Sequence, residues 1–416
     1  MTTLPSGPSV AEAVTRALPQ AELPPWPDID PHVLAGERLA RLRAGLAGAP
    51  FDALVLTQPE SVGYATGYRS VPGQVFRAHR IAAVVTGDDL WLVCAASDAP
   101  AAADWGVPVD RLVPFGRFYV EAGRTVTDER VEISRMADRH PDLLAALRSV
   151  VGRLPRGIRF GLEETSEVPE LVEMLASHDD ATAVVMAARS IKLPGEVAML
   201  RYAARLSESA VRAALAAAEP GITERELAAV VAGAMVAGGG DPRFVVATTG
   251  ERSALADAMP TDRRWRPGEP ARFDVGCVVE GYWSDIGRTA VLGEPDERQR
   301  RVYAAVYAGE QAQLELARPG VTAAELFRAG FDATDAGVPS YRRQHCGHGI
   351  GLSIYEPPVI APGVDVALEA GMTFCFETPY YELGWGGMMV EDTIVVTGTG
   401  IEMLCSGDRE LAVVPA

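Results

Sequence analysis

The chain repeats itself, and the repeat limits its architecture more than any other feature. ProGlyIleThrGluArgGluLeu (220–227) returns as ProGlyValThrAlaAlaGluLeu (319–326). In both copies a Thr is followed three residues later by a Glu, the pairing that caps and opens a helix. GlyGluProAlaArgPheAsp (268–274) returns as GlyMetThrPheCysPheGlu (371–377), so each copy places an acid six residues after a glycine in a β-like stretch. Two matches in the same order are hard to obtain by chance. The period of about a hundred residues is too long for a solenoid unit. It predicts two α/β halves related by a pseudo-twofold axis, each supplying acids to one shared cleft.

The acids define the chemistry. Asp274 and Asp285 lie eleven positions apart in Arg272–Thr289, a run rich in Val, Ile, Phe, Tyr and Trp. Such a run reads as two strands turning near Glu280-Gly281. The second copy carries Glu377 and, fourteen residues on, Glu391. A carboxylate in a stretch that wants to be buried is costly unless it is paired or holds a metal. A lone pair of such aspartates would read as turn or salt-bridge residues; the repeat favours a common site. Between the copies runs a glycine-rich segment, Gln344–Pro358, with His345 and His348. His348 is the ligand candidate, and His345 reads as a supporting or structural residue. Four carboxylates and one imidazole form a hard, oxygen-rich set. It suits two divalent ions, Mn²⁺ foremost, with Co²⁺, Fe²⁺ or Zn²⁺ as alternatives. The Cys-rich pattern of structural zinc is absent.

Composition bounds the rest. The net charge of −18 argues against nucleic acid and anionic membranes as partners. No run approaches eighteen uninterrupted apolar residues, so no membrane span is expected. The start of the chain lacks a basic segment followed by an apolar one, which leads us to expect a cytoplasmic protein. Five scattered cysteines without a CysXxxXxxCys pair read as reduced core thiols. Lys192 is the only lysine, a bias in which Arg carries the positive charge.

Taken in order, residues 1–30 are Pro- and Ala-rich and read as an extended arm. Residues 31–187 alternate helix-like and strand-like stretches, beginning with an amphipathic helix at Pro31–Leu46, and form a first α/β domain. Residues 188–416 form the second, repeated domain. It opens with Pro194-Gly195 and a helix that stops by Pro220-Gly221.

These motifs together resemble the pita-bread metallopeptidases, the family of methionine aminopeptidase, aminopeptidase P, prolidase and creatinase. The resemblance rests on Asp274 and Asp285, on HisGlyIleGlyLeu (348–352) leading to GluProPro (356–358), on PheGlu (376–377) and on GluAsp (391–392). It extends to TyrAlaThrGlyTyr (64–68) and ArgSerIleLysLeuProGlyGlu (189–196), and so covers nearly the whole chain. It implies an α/β (α+β) fold: a creatinase-like N-terminal domain followed by a pita-bread catalytic domain. It implies that Asp274, Asp285, His348, Glu377 and Glu391 hold two metal ions, with Asp285 and Glu391 bridging and Glu377 also moving a proton. It implies a homodimer, in which Tyr68, Phe76, Arg77 or Arg80 could reach a neighbour's substrate, with His345 a further substrate-binding candidate. The chain departs from the pattern at three places. Asp257, in SerAlaLeuAlaAspAla (253–258), and Tyr355 stand where proteolytic members carry histidines, and Met389 stands where they often carry an arginine.

The leading expectation is a dinuclear-metal-dependent hydrolase of a peptide or small amide C–N bond, aminopeptidase P- or prolidase-like, acting through a metal-bridging hydroxide. Its catalytic residues would be Glu377, Asp257 and Tyr355, and its partner a short peptide or other small molecule. The replaced histidines support an alternative, a specialised amidohydrolase or metal-dependent lyase on the same fold. A non-catalytic binding module is disfavoured, because a dead site has no reason to keep clustered acids.

Overall fold

The structure is a computed structural model that describes residues 9–76, 78–125, 131–133, 135, 139–163, 169–175, 178–407 and 409–416. It falls into two units: one spans Ile29–Arg189, the other Ser190–Ala416 together with the stretch through Asp28. The expectation of an extended arm over residues 1–30 is corrected within its described part. Val10–Ala17 is a helix, opened by Ser9, whose Oγ accepts from the Glu12 N–H while the Glu12 carboxylate accepts from the Ser9 N–H. Ala13 and Ala17 are buried in the same core as Tyr202, Leu206 and Val230. Tertiary burial thus sustains a helix too short to persist alone.

The smaller unit is built on six strands: β1 (Ala53–Leu56), β2 (Ala82–Thr86), β3 (Leu90–Ala95), β4 (Leu112–Phe115), β5 (Phe160–Leu162) and β6 (His178–Asp180). They lie in the order β4-β3-β2-β1-β5-β6, with β1 antiparallel to β2 and parallel to β5. Ala53, Val55, Val84 and Val93 pack against Leu147 and Val150 of the helix Leu143–Val151. Leu54 and Leu56, on the opposite pleat, are equally buried. Both faces are therefore covered, which is why these strands read as continuous apolar runs.

The larger unit carries β7 (Asp241–Thr249), β8 (Pro270–Val279), β9 (Tyr282–Trp283), β10 (Ile286–Leu292), β11 (Gly347–Gly349), β12 (Glu356–Val359), β13 (Thr373–Glu377), β14 (Tyr380–Glu382), β15 (Gly386–Met388), β16 (Glu391–Val396), β17 (Ile401–Met403) and β18 (Ala412–Val414). Its main sheet runs β12-β11-β13-β16-β10-β8-β7. Strands β7-β8-β10 are thus answered by β11-β13-β16 across the β10–β16 pair. Helices Pro194–Ala217 and Glu224–Ala237 share a core with the first set; Glu297–Leu316 and Ala323–Gly337 share one with the second.

The two halves repeat at the level of single hydrogen bonds. Gly221 N–H donates to Trp265 O at 3.1 Å, and Gly320 N–H to Leu368 O at 2.9 Å. Trp265 N–H returns to Ile222 O at 2.8 Å, and Leu368 N–H to Val321 O at 2.8 Å. Gly268 N–H reaches Leu292 O at 2.7 Å, and Gly371 N–H reaches Val396 O at 2.8 Å. Thr223 and Thr322 cap their helices with Glu226 and Glu325 as the sequence predicts.

Strand alternation then sorts side chains by face. On β8, Ala271, Phe273 and Val275 enter the helix-side core, which sends Arg272 and Asp274 to the other face. On β13, Phe374 and Phe376 do the same, leaving Glu377 with Asp274's orientation.

Candidate metal centre

Sheet register gathers the acids. Asp274 on β8 lies opposite Gly287 on β10, Gly287 opposite Glu391 on β16, and Glu391 opposite Glu377 on β13. Asp285 precedes Gly287 by two residues and so shares its face. The gap at Gly287 is required: a Cβ there would lie 2.9 Å from the Glu391 Cβ and 2.5 Å from the Met389 Cε. The turn between β8 and β9 falls at Glu280 and Gly281, with φ of 50° and 91°, as a two-residue hairpin demands. His348 enters from β11, beside Cys375 on β13.

Asp285, His348 and Glu391 are buried, and each presents a ligand atom within 4.8 Å of the other two. Asp285 Oδ1 and Glu391 Oε1 have no hydrogen-bond partner among the described residues. A buried acceptor left without a donor costs about 1–3 kcal/mol, and more when charged. Burial first, then the neighbouring acids, raises the pKa of Asp274 and Glu391 above the usual carboxylate range; burial also raises Asp285. These are acids in want of a cation, and the set fits divalent ions. His348 Nδ1 lies 3.1 Å from the Gly349 carbonyl, which can only accept, so the neutral ring carries its proton there and turns the Nε2 lone pair toward Asp285 Oδ2, 3.6 Å away. Burial alone would lower the pKa of this imidazole; Asp285 and Glu377 more than reverse that.

The outer acids each meet a guanidinium. Arg272 Nη1 donates to Asp274 Oδ2 at 2.9 Å, and Arg343 Nη2 to Glu377 Oε2 at 2.8 Å. The Tyr381 ring lies near both cations, 5.2 Å from the Arg272 Cζ and 5.8 Å from the Arg343 Cζ. His345 Nδ1 stands 3.4 Å from Glu377 Oε1, and burial lowers the pKa of that ring below its ordinary value.

The remaining sequence-predicted residues are distributed unevenly. Tyr355 stacks on His348 with ring centroids 3.7 Å apart and remains half exposed. Burial, then the charges of Glu377, Glu391 and Asp285, raises its phenol, which stays protonated and can donate. Its neighbour Glu356 is anchored by Lys192, Nζ to Oε2 at 2.8 Å, and accepts the N–H groups of Leu352 and Ser353. The chain's only lysine is thus spent fixing the loop that presents Tyr355. Asp257 is exposed, one residue beyond Ala256, whose carbonyl binds Arg272. Tyr68 is buried in the smaller unit and donates to Asp98 at 2.8 Å, a partner that accounts for it structurally. Arg77 lies outside the described residues. All five cysteines are free and buried, and burial raises the Cys346 thiol to about 12, far from a nucleophile's range.

Sequence reading missed Arg272, Arg343 and Tyr381. A signal existed for the first: an arginine two before Asp274 on a buried strand must share the acid's face.

The geometry has close relatives. Residues 198–398 match the model of metallopeptidase family M24, and residues 38–191 that of the creatinase/prolidase N-terminal domain. A Xaa-Pro dipeptidase of Pyrococcus furiosus is 33% identical over 265 residues, 63% of this chain and 74% of that one. A Xaa-Pro dipeptidase of Lactobacillus helveticus is 29% identical over 91% of this chain and 99% of its own. Among solved structures, dipeptidase PepE from Mycobacterium ulcerans superposes with a TM-score of 0.73 at 28% identity, covering 93% of this chain and all of that one. No described helix is long and apolar enough to cross a membrane.

Proposed function

Because the chain belongs to metallopeptidase family M24, we propose that it is a metal-dependent hydrolase of Xaa-Pro dipeptides, and that Asp274, Asp285, His348, Glu377 and Glu391 hold two divalent ions. The observation that carries this is the buried convergence of Asp285, His348 and Glu391 with two carboxylate oxygens left unpartnered. Divalent ions at such a site lower the pKa of bound water from 15.7 toward roughly 7 and stabilise negative charge developing on a carbonyl oxygen.

The chain's own residues do the rest. Glu377 Oε1, with Oε2 held by Arg343, takes the proton of the attacking water and delivers it to the departing proline nitrogen. Tyr355, protonated and half exposed above His348, donates to the substrate. Asp257 faces solvent and is available to a substrate ammonium.

That last feature favours a second reading on the same site: hydrolysis of a small cationic amide, with Asp257 and Tyr355 replacing the peptidase histidines. One experiment separates them. Protein purified without chelator is assayed for bound metal, then for proline release from Xaa-Pro dipeptides with added Mn²⁺ or Co²⁺. Nearly two ions and proline release support the dipeptidase. Two ions without release select the small-amide reading, and no bound metal after reconstitution sinks both.

A further inference from the structure

Arg272 is completely buried, and a buried charge is expensive unless its partners are complete. Its five N–H groups meet five acceptors. Nε donates to Ser253 O at 2.9 Å; Nη2 donates to Leu255 O at 2.9 Å and to Ala256 O at 2.6 Å. Nη1 donates to Asp274 Oδ2 at 2.9 Å and to the Met389 sulfur at 3.4 Å. One rigid guanidinium therefore grips three carbonyls of a single surface loop with one side of its fork and an acid of the metal centre with the other. The loop continues to Asp257 and Met259, both exposed. Its far end has a separate anchor: Arg252 Nη2 donates to Met259 O at 2.8 Å while its Nε pairs with Glu224, which also accepts from Thr261 N–H.

We infer that Arg272 is a positioning residue that couples the orientation of Asp274 to the ordering of the loop 253–257. A planar fork transmits this as a point charge cannot. If the loop shifts, the carbonyls release Nε and Nη2, and the guanidinium no longer presents Nη1 squarely to Asp274. This rests on the reading of Asp274 as a metal ligand given above.

The test compares the wild type with Arg272→Met, Arg272→Lys and Arg252→Met. Mn²⁺ binding to the chelator-treated proteins is followed by calorimetry. The visible absorption of the Co²⁺-loaded proteins reports ligand geometry, and thermolysin cleavage near Leu255 and Met259 reports loop order. Arg272→Met is expected to weaken at least one ion by about tenfold or more, as loss of a residue behind a ligand does, to shift the Co²⁺ bands and to speed cleavage. Arg272→Lys keeps the charge with fewer donors and should fall between, which decides the matter if the methionine variant does not fold. Arg252→Met, which frees only the far end of the loop, should speed cleavage at Met259 alone and leave metal affinity within about twofold of the wild type, because it touches nothing behind a ligand. Wild-type affinity and spectrum in both Arg272 variants would overturn the coupling. So would an Arg252→Met variant that is cleaved faster at Leu255 as well as at Met259 and yet binds metal as the wild type does, since the segment held by Arg272 would then be disordered without effect on Asp274. A wild type that binds no divalent ion would instead overturn the metal reading itself, and this inference with it.

Discussion

The two halves of the larger unit share a backbone and differ in charge placement. Their strand starts are pinned by matching hydrogen bonds, and Asp274 and Glu377 occupy corresponding places. Each acid meets a guanidinium, but from a different direction. Arg272 comes from the acid's own strand, is sealed in, and has every donor used. Arg343 comes from the segment before β11, uses one donor on Glu377 and one on the His345 carbonyl, and keeps an edge at the surface. Duplicated backbone fixes where an acid stands; what stands behind it is free to diverge, and here one guanidinium is a strut and the other stays partly exposed.

The largest effect should come from the acids the halves share. Glu391→Gln or Asp285→Asn removes a carboxylate from the proposed metal site, and activity and metal stoichiometry should fall by more than the roughly 10–100-fold typical of residues behind ligands. Elemental analysis of purified variants checks this. Retention of two ions would break the comparison at its root.

Next is the anchor of the second half. Lys192→Met removes the ammonium that faces the buried Glu356 carboxylate, which should cost about 3–5 kcal/mol of stability in urea denaturation. The corresponding loop of the first half is tied by Arg252 and Glu224, with Arg252 partly exposed, and Arg252→Met should cost clearly less.

The two guanidiniums should then separate in kinetics. Arg343→Met removes the donor that orients Glu377 Oε2, and kcat should fall by about 10²-fold, in the range of a misplaced acid–base residue, with metal affinity less affected than in Arg272→Met. Equal metal loss in both variants would erase the distinction.

The pH response is milder and has a definite sign. Burial, and then Asp285, raises Asp274 from an ordinary 3.8 to about 7. Folded acids with raised pKa retain protons that the unfolded chain has released, so their contribution is full below about pH 4 and is lost as pH rises to about 7. The Tm of chelator-treated protein should therefore decline across that window. Excess Mn²⁺ should flatten the decline, because bound cations offset the carboxylate charge.

The smallest effect is expected at Asp257. Because it is exposed, Asp257→Ala should change KM a few-fold at most for Xaa-Pro dipeptides. A much larger effect confined to cationic amides would favour the second reading.

Much of this was legible because it rested on local rules. The capping boxes at Thr223 and Thr322, the turn at Glu280-Gly281 and the acids at fixed distance from Gly268 and Gly371 are properties of short segments. Carboxylates in apolar strands announced a site because nothing else excuses their burial. The helix at Val10–Ala17 carried the same signal in Ser9 and Glu12, which the Pro- and Ala-rich surroundings hid; what no local pattern records is its support, Ala13 and Ala17 packing on a core more than 180 residues away in sequence.

The sequence by itself determined the repeat, the two α/β halves and the set of acids with His348, because strand alternation and helix capping are decided within a few residues. Only the tertiary structure decided which acids meet, and which guanidinium serves as a strut. Those outcomes depend on register across β8, β10, β16 and β13, and on carbonyls that reach Arg272 from 16 to 19 positions away along the chain. Hydrogen bonds and charges act through space over a few ångströms, and no local pattern records which distant segment will be brought within that range.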